Sequence, residues 1–288
     1  MRAPARLTRI VLLLGLIAGS ADLALAASSK GVVYYLALGD SLSVGAQPGP
    51  TGQNVPTNRG YTDDLHAILQ RTTRNLQLVK LGCIGETTST MILGGSCLYP
   101  SGSQLDEAVA FLKAHAGSVV LVTIDLGAND LLPCVAGVEI DLTCISTAFS
   151  DIASNLPYIL SVLRTAVGGT PIAAMNYYDP FLAAWLQGPA GRELAVESVQ
   201  LLEVFNDLLG FVYEKFGVRV GDVAAAFRSS DFDPVVSVPR LGTVPPNVVV
   251  VCLLTWMCAP PPHGPNIHAN AFGYGVIAGA IFAVLPRR

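Results

Sequence analysis

With 288 residues, 51% of them apolar, 13% charged and a net charge of −4, the chain can bury a sizeable core. That composition excludes bulk disorder. It contains no basic run or stripe, the electrostatic footprint that a nucleic-acid-binding protein needs.

The amino end reads as a secretory signal peptide. Arg2, Arg6 and Arg9 form its positive end, residues 10–19 its apolar segment, and Ala24-Leu25-Ala26 a small-x-small cleavage site before Ala27. The apolar segment is too short to span a bilayer comfortably; an uncleaved anchor is the rival reading. Residues 1–26 are expected to be removed, leaving residues 27–288 as a single secreted domain.

An apolar run at residues 32–38 predicts a buried strand that stops at Gly39-Asp40-Ser41. A serine at the carboxyl end of an early parallel strand stands where open α/β sheets bind ligands, although Gly-Asp-Ser is also a common turn composition. Residues 47–59, rich in Gly, Pro, Asn and Thr, predict a loop overhanging Ser41. A helix is expected from Thr62, with Leu65, Ile68 and Leu69 on one face. A second strand is expected at residues 76–81, leading to Gly82-Cys83-Ile84-Gly85-Glu86-Thr87. A Gly/Ser loop at 94–103 carries Cys97, and a helix follows at 105–114.

Residues 118–126 give the strongest strand signal, apolar on both faces, and end in Gly127-Ala128-Asn129-Asp130. A loop between Cys134 and Cys144 precedes a helix from about 146 to 166. A fourth strand at 171–175 is followed by Tyr177, Tyr178, Phe181 and Trp185, which either line a substrate surface or pack beneath the loop. A helix at 193–216 and a short fifth strand at 218–223 come next. Residues 229–266 read as proline-rich and irregular, apart from an apolar stretch at 248–254 that is most simply a core or edge strand. A final helix is expected from about Asn270. Alternating strands and helices imply a three-layer α/β/α sandwich around a central parallel sheet. The closing apolar stretch, 275–285, is too short for a membrane span.

The six cysteines are Cys83, Cys97, Cys134, Cys144, Cys252 and Cys258. An even number in a secreted chain suggests disulfides, and sequence neighbours give the simplest pairing: Cys83–Cys97, Cys134–Cys144 and Cys252–Cys258. Their spacing does not resemble that of zinc ligands.

Parallel strands would bring the loops carrying Ser41, Gly85 and Asn129 to one sheet edge, and His268, just before the last helix, can reach the same edge. Acyl transfer needs this set. A hydroxyl nucleophile requires a base, most often histidine, and the tetrahedral intermediate requires fixed donors for its oxyanion. Ser41 N–H, Gly85 N–H and the Asn129 side-chain amide would supply three such donors.

These four blocks resemble those of the SGNH, or GDSL-type, hydrolases. Gly39-Asp40-Ser41-Leu42-Ser43 and Gly45 match the first block, Gly85 the second, Asn129 the third (with Ala128 where Gly is frequent), and His268 the last. The resemblance implies a flavodoxin-like sheet, Ser41 as nucleophile, His268 as base, and no cofactor or metal. The three cysteine pairs also look like those of secreted, disulfide-bonded members. One position departs from the pattern: Pro265 stands where the family usually places the aspartate that orients the histidine. A backbone carbonyl within 259–266 is the expected substitute, with Asp231 or Asp233 folding back as the rival.

His263 is a competing histidine, expected in a solvated loop; His66 and His115 are expected on helix surfaces. Asp40 and Asp130 are read as turn-fixing, Glu86 as a helix-start residue, and Trp256 as a wall near His268. The expected function is a secreted, monomeric serine esterase or lipase. It would act on a small-molecule or lipid ester through an acyl-enzyme, with activity rising at about pH 6.5 for an unperturbed imidazole. A non-catalytic binding protein on the same fold and an acyltransferase are the alternatives.

Overall fold

The computed structural model describes residues 31–286, so the expected signal peptide lies outside the described residues. Five parallel strands make the central sheet: β1 (Val33–Gly39), β2 (Leu76–Lys80), β3 (Val119–Asp125), β4 (Ile172–Met175) and β5 (Arg219–Gly221). Their spatial order is β2-β1-β3-β4-β5. This is the flavodoxin-like order, in which the chain switches direction between β1 and β3. The apolar runs recognised in the sequence are the two central strands. Leu36 of β1 lies between Val79 of β2 and Val122 of β3, and Tyr35 to Leu38 are fully buried.

The larger helices are α1 (Tyr61–Gln70), α2 (Thr88–Leu93), α3 (Gln104–Ala114), α4 (Leu142–Val167), α5 (Pro189–Lys215), α6 (Pro246–Leu254) and α7 (Ala271–Val284). The crossovers group α1 with α7, which returns to pack against it, and α4 with both α3 and α5. Together they form the expected three-layer α/β/α sandwich. Among the described residues no helix is long and apolar enough to cross a membrane.

Several element boundaries differ from expectation, each for a local reason. Helix α4 starts at Leu142 because Asp141 caps it, its carboxylate accepting from Thr143 N–H (2.9 Å) and Cys144 N–H (3.0 Å). Helix α5 starts with Pro189, whose missing N–H costs nothing in the first turn. The stretch 248–254, expected as a strand, is helix α6. Its valines favour β structure locally, but Val248 and Val251 are buried at helical spacing while Leu253 is exposed. Burial of one face against the turns at Pro180–Gln187 and against α7 outweighs the intrinsic preference. The neighbouring region, expected to be irregular, also holds a small antiparallel pair, Val236–Val238 with Gly242–Val244.

The three disulfides are Cys83–Cys97, Cys134–Cys144 and Cys252–Cys258, as the sequence neighbours suggested. No cysteine is free among the described residues.

Candidate active site

Ser41 follows β1 directly, at the carboxyl edge of the sheet beside the switch point between β1 and β3. The turn that presents it is over-determined. Gly39 has φ +124°, and a Cβ there would collide with the Asp125 carbonyl, so only glycine fits. Gln104 clamps the same residue, accepting from Gly39 N–H (2.6 Å) and donating to Gly39 O (2.9 Å). The Asp40 carboxylate accepts from Leu42 N–H (2.9 Å), and Ser43 Oγ donates to Asp40 O (2.7 Å).

Asp125, at the end of β3, was not singled out in the sequence, yet it holds this turn from below. Its Oδ2 accepts from Asp40 N–H (3.3 Å) and Ser43 N–H (3.2 Å), and its Oδ1 accepts from the Tyr61 hydroxyl. Tyr177 O–H reaches the Asp40 carboxylate at 3.2 Å. Both carboxyls are buried, and burial, with their mutual proximity, pushes Asp125 well above the usual carboxylate range; burial also raises Asp40. Asp40 is therefore turn-fixing as expected, and Asp125 shares the task.

The imidazole of His268 meets Ser41 with Nε2 2.8 Å from Oγ. His268 is held from three sides. Trp256 N–H donates to His268 O (3.0 Å), Tyr178 O–H donates to Ile267 O (2.7 Å), and Asn270 caps α7 immediately behind. The acceptor at Nδ1 is the side-chain oxygen of Asn266, at 2.7 Å. This corrects both expectations for that position. It is a side-chain carbonyl rather than a backbone one, and it is neither Asp231 nor Asp233; Asp231 pairs with Arg228 instead. An asparagine two positions before the histidine carries no charge, and a search for acids passes over it.

Asn129 lies in the short helical turn Ala128–Leu131, opened by Gly127 at φ +117°. One of its amide protons goes to Glu86 O at 3.0 Å; the other remains for a ligand. Asp130 accepts from Thr88 N–H and Oγ, so the second and third loops are tied together twice. Gly85 has φ +82° and precedes Glu86 in that second loop. Among the described residues, neither Ser41 N–H nor Gly85 N–H is engaged with an acceptor. Glu86, expected to start a helix, is instead buried, with Oε2 accepting from Gln104 Nε2 (2.8 Å); Thr87 is the cap of α2.

Ser41, Asn129 and His268 open onto a single cavity. Its wall is largely apolar: Leu131, Val135, Ile140, Leu201, Leu202 and Phe205 contribute from the loop after β3 and from α5. Tyr177, Tyr178 and Phe181 line it too, whereas Trp185 packs on Phe232 and Trp256 supports the histidine loop from behind. Asp179 and Ser198 form a buried polar pair on the wall (2.7 Å), and burial raises the Asp179 carboxyl to about 6. Of the other histidines, His66 bonds to Leu76 O, His115 lies tilted against Tyr34 and Phe111, and His263 lies against Trp256. No group of side chains suited to holding a metal occurs among the described residues.

A hydroxyl hydrogen-bonded to an uncharged imidazole can surrender its proton as it attacks an electrophile, and the amides around it can receive the negative charge that develops. Several solved structures share this architecture. They include the extracellular lipase from Streptomyces rimosus (16% identity, 88% of this chain and 100% of that chain, TM-score 0.55). The lipase Lip_vut3 from a goat rumen metagenome (19%, 88% and 97%, TM-score 0.54) is another. So is phospholipase A1 from Streptomyces albidoflavus NA297 (18%, 88% and 100%, TM-score 0.53). At these identities the likeness is one of fold. A comparison with curated proteins gives no significant match. The sequence pattern of the GDSL-like Lipase/Acylhydrolase family matches residues 37–276, a span that includes every loop of the site, and the chain belongs to that family.

Proposed function

We propose that the protein is a secreted carboxylic ester hydrolase that works through an acyl-enzyme, with Ser41 as nucleophile and His268 as base. The observation that carries this reading is the 2.8 Å contact between Ser41 Oγ and His268 Nε2 on the wall of a largely apolar cavity. Ser41 Oγ forms a bond to the ester carbonyl carbon as its proton passes to Nε2. The carbonyl electron pair moves onto oxygen, where Ser41 N–H, Gly85 N–H and the free Asn129 amide proton receive it. Collapse breaks the bond to the alcohol, which leaves with the proton from Nε2. Water then attacks the acyl-enzyme by the same route and releases the acid. The amino-terminal signal pattern and the disulfides support secretion.

The apolar wall favours a hydrocarbon acyl group. In a series of p-nitrophenyl esters, kcat/KM should rise about fourfold per added methylene while the chain still fits the cavity, and then fall. A flat series would remove the cavity from acyl recognition. A fluorophosphonate probe should label Ser41; an unlabelled protein would favour a non-catalytic role.

Burial lowers the His268 imidazole to about 4, since the charged ring loses its hydration. The ring is thus neutral, and able to accept a proton, above about that pH. In kcat/KM profiles the acid limb should fall near pH 4, with a level region above about pH 5, in place of the rise near 6.5 expected for an exposed ring. An acid limb centred at about 6.5 would contradict the buried base.

A further inference from the structure

We infer that Asn266 is the positioning residue of the catalytic histidine, and that Asn54 fixes Asn266 in the orientation this requires. The inference rests on the reading of Ser41 and His268 as nucleophile and base.

The amide of Asn266 has only one chemically consistent orientation. Its inward atom lies 3.0 Å from His268 N and 2.7 Å from Nδ1. A backbone N–H can only donate, so that atom is the carbonyl oxygen Oδ1. An acceptor facing Nδ1 requires Nδ1 to carry the ring proton. Nε2 then presents its lone pair, and it is Nε2 that faces Ser41 Oγ at 2.8 Å. One side chain thus sets the ring's position, through the backbone, and its tautomer. The other end of the amide is held as well: Asn266 Nδ2 donates to Asn54 Oδ1 at 2.6 Å. Asn54 belongs to the short antiparallel pair Gln47–Pro48 with Asn54–Val55, in the loop that follows Ser41. Asn54, Asn266, His268 and Ser41 therefore form one hydrogen-bonded chain whose two ends lie close together in sequence.

A neutral amide orients an imidazole without adding a negative charge beside it. The ionisable groups on the elements around the ring are Asp40 behind the serine turn, Tyr177, Tyr178 and Asp179 after β4, Tyr274 on α7, whose hydroxyl donates to Ala46 O, and His263 on the ring's own loop. None of them bonds to it. Placing a carboxylate at position 266 would supply the missing charge. The outward oxygen would face Asn54, which is exposed and free to turn its NH2 towards it.

The test is steady-state kinetics of the full chain with p-nitrophenyl butyrate, across pH, with thermal unfolding recorded for each variant. Asn266→Ala should lower kcat about 10- to 150-fold, because the imidazolium formed during attack loses a charge-assisted bond. Asn266→Asp should keep most of the turnover and move the acid limb of the profile up by about 1 to 3 pH units. Asn54→Ala should cost about two- to tenfold, and that loss should vanish in the Asn266→Ala background, since Asn54 acts through Asn266. Two results overturn the inference: kcat for Asn266→Ala within about threefold of the parent, or an Asn266→Asp profile with the parent's acid limb. If the alanine variant fails to fold, the near-isosteric aspartate variant decides the matter through its pH profile. A Ser41→Ala control separates the two levels. If it still turns over ester, the hydrolase reading itself falls; if it is inert while the Asn266 variants match the parent, only the orienting role falls.

Discussion

Ser41→Ala is expected to lower ester turnover by about 10⁵- to 10⁶-fold, the scale on which loss of an activated serine is felt in enzymes of this chemistry. The structure also says what the substitution leaves alone. Among the described residues Ser41 Oγ has one hydrogen-bond partner, His268 Nε2, while the turn around it is held by Gly39, Asp40, Ser43, Gln104 and Asp125. Its removal takes away a single bond beside an open cavity, so the melting temperature should stay close to that of the parent. Kinetics and thermal unfolding on one preparation check both halves. Retained turnover would end the assignment of Ser41, and a large fall in melting temperature would mean that the hydroxyl also has a structural part.

Asn129→Ala is expected to reduce kcat by about 10²- to 10³-fold with a much smaller change in KM, as for loss of one oxyanion donor. The side chain has a second task, since it also donates to Glu86 O and so links the third loop to the loop that carries Gly85. Asn129→Asp loses the same two donations and adds a negative charge beside the developing oxyanion. A carboxylate cannot donate to either carbonyl oxygen and would repel the developing oxyanion, so its loss should exceed that of alanine. If the alanine variant loses less than about threefold, Asn129 does not stabilise the oxyanion.

Much of this architecture is legible in the sequence because its signals are local. Residues 32–38 and 118–126 are apolar on both faces and short, and they became β1 and β3; Gly39 and Gly127 mark the sharp exits from those strands. What escaped depends on three dimensions. The valines before Leu254 favour a strand until the buried face of α6 is known. Leu201, Leu202 and Phe205 look like any apolar helix face, because a side chain that walls a cavity has the same hydrophobicity as one packed in the core. Asp125 sits inside an apolar run, where its contacts with Tyr61, Asp40 and Ser43 cannot be read from spacing. Asn266 is hidden for a chemical reason: it is neither an acid nor a backbone carbonyl, yet its side-chain oxygen is what faces His268 Nδ1.

The disulfides have a consequence for how such a site can diverge. Cys83 stands just ahead of Gly85, Cys134 and Cys144 bracket the short antiparallel pair of Val135–Ala136 with Glu139–Ile140, and Cys252–Cys258 encloses Trp256, which supports the histidine loop. Each segment thus has a private tether. One loop can be rewritten over evolutionary time, or by an engineer reshaping substrate preference, while the other two keep their register. The cavity wall and the turns around Ser41 and His268 are thus constrained by separate cross-links.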